Sequence, residues 1–131
     1  MRHIDLRKVA LFSAKLDSSN LSDADLSNSV LLNINLRYAD LSNANFKNAD
    51  LRGVIFRGAN LSSADFTNAN LQGANLEDAI LDSTNFKNAN LMGVKLQSES
   101  FKNVKPLIGT KLDTNIKDDI QKWWPFLLNQ K

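Results

Sequence analysis

The amino-acid sequence predicts an all-β solenoid that is closed at its C-terminal end by a helical segment. Leu or Phe recurs at every fifth position from residue 6 to residue 101, and a small residue, most often Ala, stands two positions before most of them. Asp or Asn usually occupies the position in between. Such a register indicates that one repeated unit builds most of the chain. The centre positions are Leu6, Leu11, Leu16, Leu21, Leu26, Leu31, Leu36, Leu41, Phe46, Leu51, Phe56, Leu61, Phe66, Leu71, Leu76, Leu81, Phe86, Leu91, Leu96 and Phe101.

A period of five residues fits neither a straight helix nor a flat strand. Residues five apart are rotated by about 140° on an α-helix and lie on opposite faces of a strand. They share one interior only if the chain turns a corner in every repeat. The small residue and the Leu or Phe then point inward from a short extended segment, and the Asp or Asn between them points outward. The next two residues, rich in Ser, Asn and Gly, form the corner.

The repeats resemble the pentapeptide-repeat family, whose consensus is A(D/N)LXX. Residues 39–43 (ADLSN) and 64–68 (ADFTN) match it well, and the resemblance covers about three quarters of the chain. The chain is most similar to the short stand-alone bacterial members of cyanobacterial type. The resemblance implies a right-handed quadrilateral β-helix in which four repeats make one square coil. About five coils, spaced by ~4.8 Å as strands are, would make a solenoid roughly 20–25 Å long.

We therefore assign residues 1–103 to the solenoid and residues 104–131 to a linker and a helical cap. Glu99 occupies a small-residue position, and because an unpaired buried carboxylate is costly, the last coil should be distorted there. Pro106 falls on the next centre position and cannot donate a ladder hydrogen bond, so it should end the repeat.

A short helix is predicted before Pro125, with one apolar stripe. We expect this stripe to cap the final coil. Two adjacent tryptophans point about 100° apart on a helix, so both cannot easily pack against the same coil. We expect the remaining apolar residues to form a dimer surface; in the alternative, Pro125 folds the tail back over the coil of the same chain. The cap residues are Ile116, Ile120 and Trp123, and the dimer surface is Trp124, Phe126, Leu127 and Leu128.

Residues twenty apart should stack on one wall of a four-sided coil. Phe12, Val30 and Leu32 fall on outward positions of one wall, where the repeat favours polar groups. They form a predicted partner patch. Sequence drift near a chain end explains them equally well, because scattered exposed apolar residues are ordinary.

Three arginines give a weaker prediction. Arg37 and Arg57 share one ladder, and Arg52 lies nearby in sequence, so the three could bind an anion. Solvated charge balanced by Asp40 and Asp50 is the favoured alternative.

Composition argues against catalysis. The chain has no cysteine, so thiol nucleophiles, disulfides and Cys-ligated metals are excluded. Its single histidine is His3, near the N-terminal end of the sequence. The regular outward carboxylates are explained by the repeat, and a convex prism offers no obvious cleft for acid–base chemistry. We predict no enzyme, no cofactor and no metal. The absence of cysteine fits a cytoplasmic protein, which we expect. No apolar run approaches the ~18 residues of a membrane span, so we expect no membrane contact.

The predicted function is a non-catalytic protein-interaction or scaffold module whose protein partner the sequence does not identify. The alternative comes from the resemblance, since some members, including the Qnr type, inhibit or protect DNA gyrase by resembling DNA in shape and negative charge. A formal net charge of +2 disfavours that alternative. Nucleic-acid binding is not expected either, because the basic surplus is small and nucleic-acid binders normally show clustered basic residues on one face.

Overall fold

The structure, a computed structural model, describes residues 3–128. One pair of segments is long enough to count as strands, β1 (Ala10–Phe12) and β2 (Val30–Leu32), which pair in parallel. The rest of this ladder consists of single parallel bridges between residues twenty apart, from Asp5 with Asp25 to Asn75 with Lys95. The offset of twenty residues means that four five-residue repeats complete one coil.

The Leu and Phe centres from residue 21 to residue 91, together with Phe101, form the core, as predicted. The centres nearest the two ends of the regular repeat are only partly buried against it: Leu6, Leu11, Leu16 and Leu96. Phe46, Phe66 and Phe86 stack along one wall, with ring centroids 4.7 Å and 5.3 Å apart and nearly parallel planes. Phe56 meets Phe46 and Phe66 edge-on, with centroids 5.8 Å away in both cases. These side chains have no exposed surface. Offset and edge-on ring contacts of this kind add stabilisation beyond the burial of apolar area.

The corners explain the residue types between the centres. At every fifth position from residue 8 to residue 93, φ lies between 56° and 72°, a region that Gly and Asn adopt at low cost. The Asp or Asn before each centre accepts a hydrogen bond from the amide two residues on. Asp65 Oδ1, for example, accepts from the Thr67 amide at 2.9 Å and from its Oγ1 at 2.5 Å. The side chain therefore satisfies a turn donor that the ladder does not use.

Ladder contacts continue past residue 103, the predicted boundary between solenoid and linker. Lys111 bridges Asn90, and the Asn88 amide donates to the Ile108 carbonyl at 2.8 Å. Leu107 is buried where Pro106 was expected, and Pro106 is exposed. One extra residue at this point moves the proline outward and lets an apolar side chain fill the core.

The expected distortion at Glu99 takes the form of a 3-10 turn, Ser98–Phe101. Its geometry leaves Glu99 exposed while Phe101 is fully buried. The carboxylate therefore avoids the core position that its place in the repeat would give it.

The chain ends in helix α1 (Thr114–Trp123) and a second 3-10 turn, Pro125–Leu128. Ile116 and Ile120 of α1 are buried in the same cluster as the solenoid core, as predicted for a cap. Trp123 is 62% exposed, so its assignment to the cap is wrong. Trp124 lies outside the helix and packs against the core in its place. No helix in residues 3–128 is long and apolar enough to cross a bilayer.

The second 3-10 turn carries Leu127 into the core. Leu127 has no exposed surface, and its carbonyl accepts a hydrogen bond from the Leu107 amide at 2.6 Å. The tail is therefore folded back onto its own chain at this residue, and Leu127 does not belong to the predicted dimer surface.

Candidate interaction surfaces

The predicted partner patch is assembled by the pairing of β1 with β2. Phe12 lies opposite Leu32, and Ala10 lies opposite Val30. Phe12 is 61% exposed, while Val30 and Leu32 are partly buried. The three predicted residues thus share one wall with Ala10, and the four together are called the apolar patch below.

An ion pair bounds the apolar patch on the next coil. Asp50 bridges Val30 along the ladder. Arg52 binds Asp50 through two hydrogen bonds, Nε to Oδ1 at 2.8 Å and Nη2 to Oδ2 at 2.7 Å. The hydrogen bonds from Arg52 lower the pKa of Asp50. The wall therefore changes from apolar to charged within one coil.

A second bidentate pair lies on the first coil. Arg7 binds Asp5 with Nε–Oδ1 and Nη2–Oδ2 distances of 2.9 Å and 2.8 Å. The hydrogen bonds from Arg7 lower the pKa of Asp5 to about 2. Both pairs join the outward residues before and after one centre, which the repeat places side by side.

The three arginines of the predicted anion site differ in how far nearby carboxylates already occupy them. Arg52 is held by Asp50, and Arg57 Nε lies 3.9 Å from Asp78 Oδ2. Arg37 is exposed and forms no ion pair with another residue in 3–128. Carboxylates thus neutralise two of the three guanidinium groups, and the anion site stays a prediction.

The C-terminal surface differs from the predicted dimer surface in its members. Phe126 is 59% exposed, beside an open cavity of about 400 Å³ that Leu128 also lines. Trp124 and Leu128 are partly buried against the core. Trp123, which the helical stripe assigned to the interior, is the larger exposed aromatic group.

A second cavity, of about 300 Å³, lies between the first 3-10 turn and α1. Its carboxylates, Glu99 and Asp119, were not predicted as site residues. No signal in the sequence pairs them, because their proximity depends on how α1 packs against the turn. Within residues 3–128, no three His, Asp or Glu side chains come together as a metal site.

Comparison with known proteins decides the family. A family model for pentapeptide repeats matches residues 19–58 and 59–97, in eight copies. The chain belongs to the pentapeptide-repeat family. Members of this family fold as right-handed quadrilateral β-helices, which agrees with the ladder offset of twenty residues. Among the curated proteins, none matches the sequence.

Solved pentapeptide-repeat structures share the fold. Rfr23 from the cyanobacterium Cyanothece 51142 is 24% identical with a TM-score of 0.57, over 81% of this chain and 88% of that one. A protein of the Arabidopsis thaliana thylakoid lumen is 26% identical with a TM-score of 0.62, over 82% and 81%. The plasmid-mediated fluoroquinolone resistance protein QnrB1 is 21% identical with a TM-score of 0.61, over 90% and 62%.

Proposed function

We propose that this protein is a non-catalytic interaction module that binds a protein partner through the apolar patch. The observation that carries the proposal is the exposure of Phe12 beside Leu32, at outward positions where other repeats place polar groups. Burying apolar surface contributes about 25 cal/mol per Å², and aromatic anchors dominate many interfaces.

The solenoid supports this function by holding the patch rigid. We infer that the ladder makes about five coils and that α1 and the second 3-10 turn close its C-terminal end. Ile116, Ile120 and Leu127 are buried in the solenoid core, which supports the inferred cap. A preformed wall loses little conformational entropy when a partner binds it.

The use of the acidic residues supports a role without catalysis. Asp25, Asp40 and Asp65 each accept the amide hydrogen two residues on, at 3.0 Å, 3.1 Å and 2.9 Å. Their side chains therefore serve the turns of the repeat. Pentapeptide-repeat proteins are generally structural modules, which fits this use. The absence of cysteine fits the cytoplasmic location that we propose.

Affinity capture from a lysate of the native organism tests the apolar patch. The intact chain should retain a protein that a Phe12→Ser, Leu32→Asn variant loses. Met92→Ser is the matched control, because Met92 is an exposed apolar residue on the same wall, outside the patch. Equal capture by the patch variant and the intact chain would show that another surface binds the partner.

Activity on DNA gyrase is the alternative function, and the likeness to QnrB1, a fluoroquinolone resistance protein, favours it. The formal net charge of +2 opposes it, because a mimic of duplex DNA needs dense negative charge. A supercoiling assay with purified gyrase, with and without a quinolone, separates the two functions. Inhibition or protection at micromolar protein would favour the alternative.

A further inference from the structure

The cavity between the first 3-10 turn and the end of α1 is a second candidate site, separate from the apolar patch. Its volume is about 300 Å³. The residues that line it are Ser98, Glu99, Asp119, Trp123 and Trp124.

Three local features bring these residues together. Ser98 Oγ donates a hydrogen bond to Asp119 Oδ2 at 2.7 Å, which ties the turn to α1. Asp119 and Trp123 are four residues apart on α1 and therefore lie on one face. The helix ends at Trp123, and Trp124, with φ −139° and ψ 58°, leaves its path. Trp123, inside the helix, and Trp124, beyond its end, thus both line the cavity.

The chemistry of the lining selects for positive charge. Glu99 and Asp119 are exposed, and neither forms an ion pair with another residue in the described chain. An indole ring attracts a cation to its face, and tryptophan does so best among the aromatic residues. Two carboxylates beside two indoles favour a cation over a neutral ligand of the same shape and repel an anion.

One contact within the chain places an ammonium group beside an indole ring of this site. Lys122 Nζ lies 4.9 Å from the centroid of the Trp123 ring, within the range of a cation–π interaction. An ammonium group is therefore compatible with this ring, and Trp124 and both carboxylates offer further attraction on the cavity side.

We propose that this cavity binds an alkylammonium group, either a small quaternary amine or a methylated lysine side chain. The site is independent of the apolar patch, so either proposal can fail without the other. The expected affinity of a small amine is in the millimolar range, because the cavity is open to solvent and its charges are screened.

Intrinsic fluorescence of the full chain tests the site directly. The sequence contains two tryptophans, and both line the cavity, so all of the tryptophan signal comes from residues of this site. Choline should change the emission in a saturable way. Its neutral isostere 3,3-dimethylbutan-1-ol should not. Equal responses to the two compounds, or no saturation by choline up to about 50 mM, would overturn the proposal.

Variants locate the binding. Glu99→Gln and Asp119→Asn should each weaken choline binding about three- to five-fold, because each removes one exposed charge. Asp118→Asn is the matched control, since Asp118 is exposed on the same helix and does not line the cavity. Unchanged affinity in both cavity variants, or equal loss in the control, would contradict the assigned site. The unliganded emission spectrum and the melting temperature verify that each variant is folded.

A final comparison distinguishes the sources of the ammonium group. A short peptide with a trimethylated lysine should bind more tightly than choline if the site recognises a protein tail. Choline should bind more tightly if the site recognises a free amine. Either result supports alkylammonium binding, and failure of both ligands to bind overturns it.

Discussion

The ring of Tyr38 lies against the Cα of Gly58, one coil further along the ladder. A Cβ atom built on Gly58 would fall 2.5 Å from both Cδ1 and Cε1 of this ring. Tyr38 is 63% exposed, so the glycine leaves room for an aromatic side chain to lie flat on the outer wall. The contact links two coils outside the core.

This contact predicts a specific difference between two glycine substitutions. Gly58 and Gly73 both have positive φ, 68° and 72°, but no atom lies within 4 Å of a Cβ at Gly73. Gly73→Ala should lower the free energy of unfolding by about 1 kcal/mol, the cost of the left-handed backbone. Gly58→Ala should cost more, because Tyr38 must also move.

A double-mutant cycle isolates the contribution of the tyrosine. In a Tyr38→Ala background, Gly58→Ala should cost no more than Gly73→Ala does. Denaturant melts of the four chains of the cycle and of Gly73→Ala measure this. An equal cost of Gly58→Ala with and without Tyr38 would mean that the ring contact contributes nothing.

The assignment of repeat positions to the core or to the surface predicts opposite effects on stability for two other substitutions. Leu51 has no exposed surface, and Leu51→Asp should prevent folding or cost at least about 4 kcal/mol, because it buries an unpaired charge. Asn43 is exposed at a corner, and Asn43→Asp should change the melting temperature little. Similar melting of both variants and the parent would contradict the assignment.

The core could be predicted from the sequence because each inward position recurs every five residues, whatever the coil. The five-residue spacing places Pro106 at a centre position, but one extra residue puts Leu107 there instead. Burying the leucine side chain stabilises the fold more than keeping the regular spacing would. The helical periodicity wrongly places Trp123 in the cap, because α1 ends at this residue and Trp124 packs against the core in its place. The cavity carboxylates depend on tertiary packing that no local pattern encodes.

The ion pair beside the apolar patch predicts a small dependence of stability on pH. Arg52 lowers the pKa of Asp50 from its ordinary value of 3.8. The stabilisation is therefore present above the unfolded-state pKa and is lost as the pH falls through the lower folded-state pKa. Because Arg52 is exposed and the pair is screened by solvent, we expect only a small contribution to stability.

Thermal melts at pH 7 and pH 2.5 compare the parent with Asp50→Asn. The substitution should reduce the loss of melting temperature on acidification, since it removes one carboxylate whose pKa is lowered in the folded state. Asp82→Asn is a control, because Asp82 is exposed and is not in an ion pair within residues 3–128. An identical acid shift in Asp50→Asn and the parent would show that the pair contributes no measurable stability.

Two substitutions in the C-terminal tail distinguish its contribution to stability from a contribution to dimerisation. Leu127 is fully buried, so Leu127→Ala should lower the free energy of unfolding by about 2–3 kcal/mol through the lost contacts and the cavity it leaves. Phe126 is exposed on the same 3-10 turn, so Phe126→Ser should leave the melting temperature nearly unchanged. Chemical denaturation of the two variants measures the contrast.

The Phe126→Ser variant also tests the self-association that we propose for the tail. With Leu127 in the core, the residues left for an interface are Phe126 and the exposed parts of Trp124 and Leu128. In a symmetric dimer, the Phe126 ring of each chain would pack against the other chain at the cavity of about 400 Å³, where Leu128 offers apolar surface. Sedimentation at tens of micromolar should then show a dimer for the parent and a monomer for the folded Phe126→Ser variant. A monomeric parent would exclude the dimer at these concentrations, and a variant that stays dimeric would place the interface elsewhere.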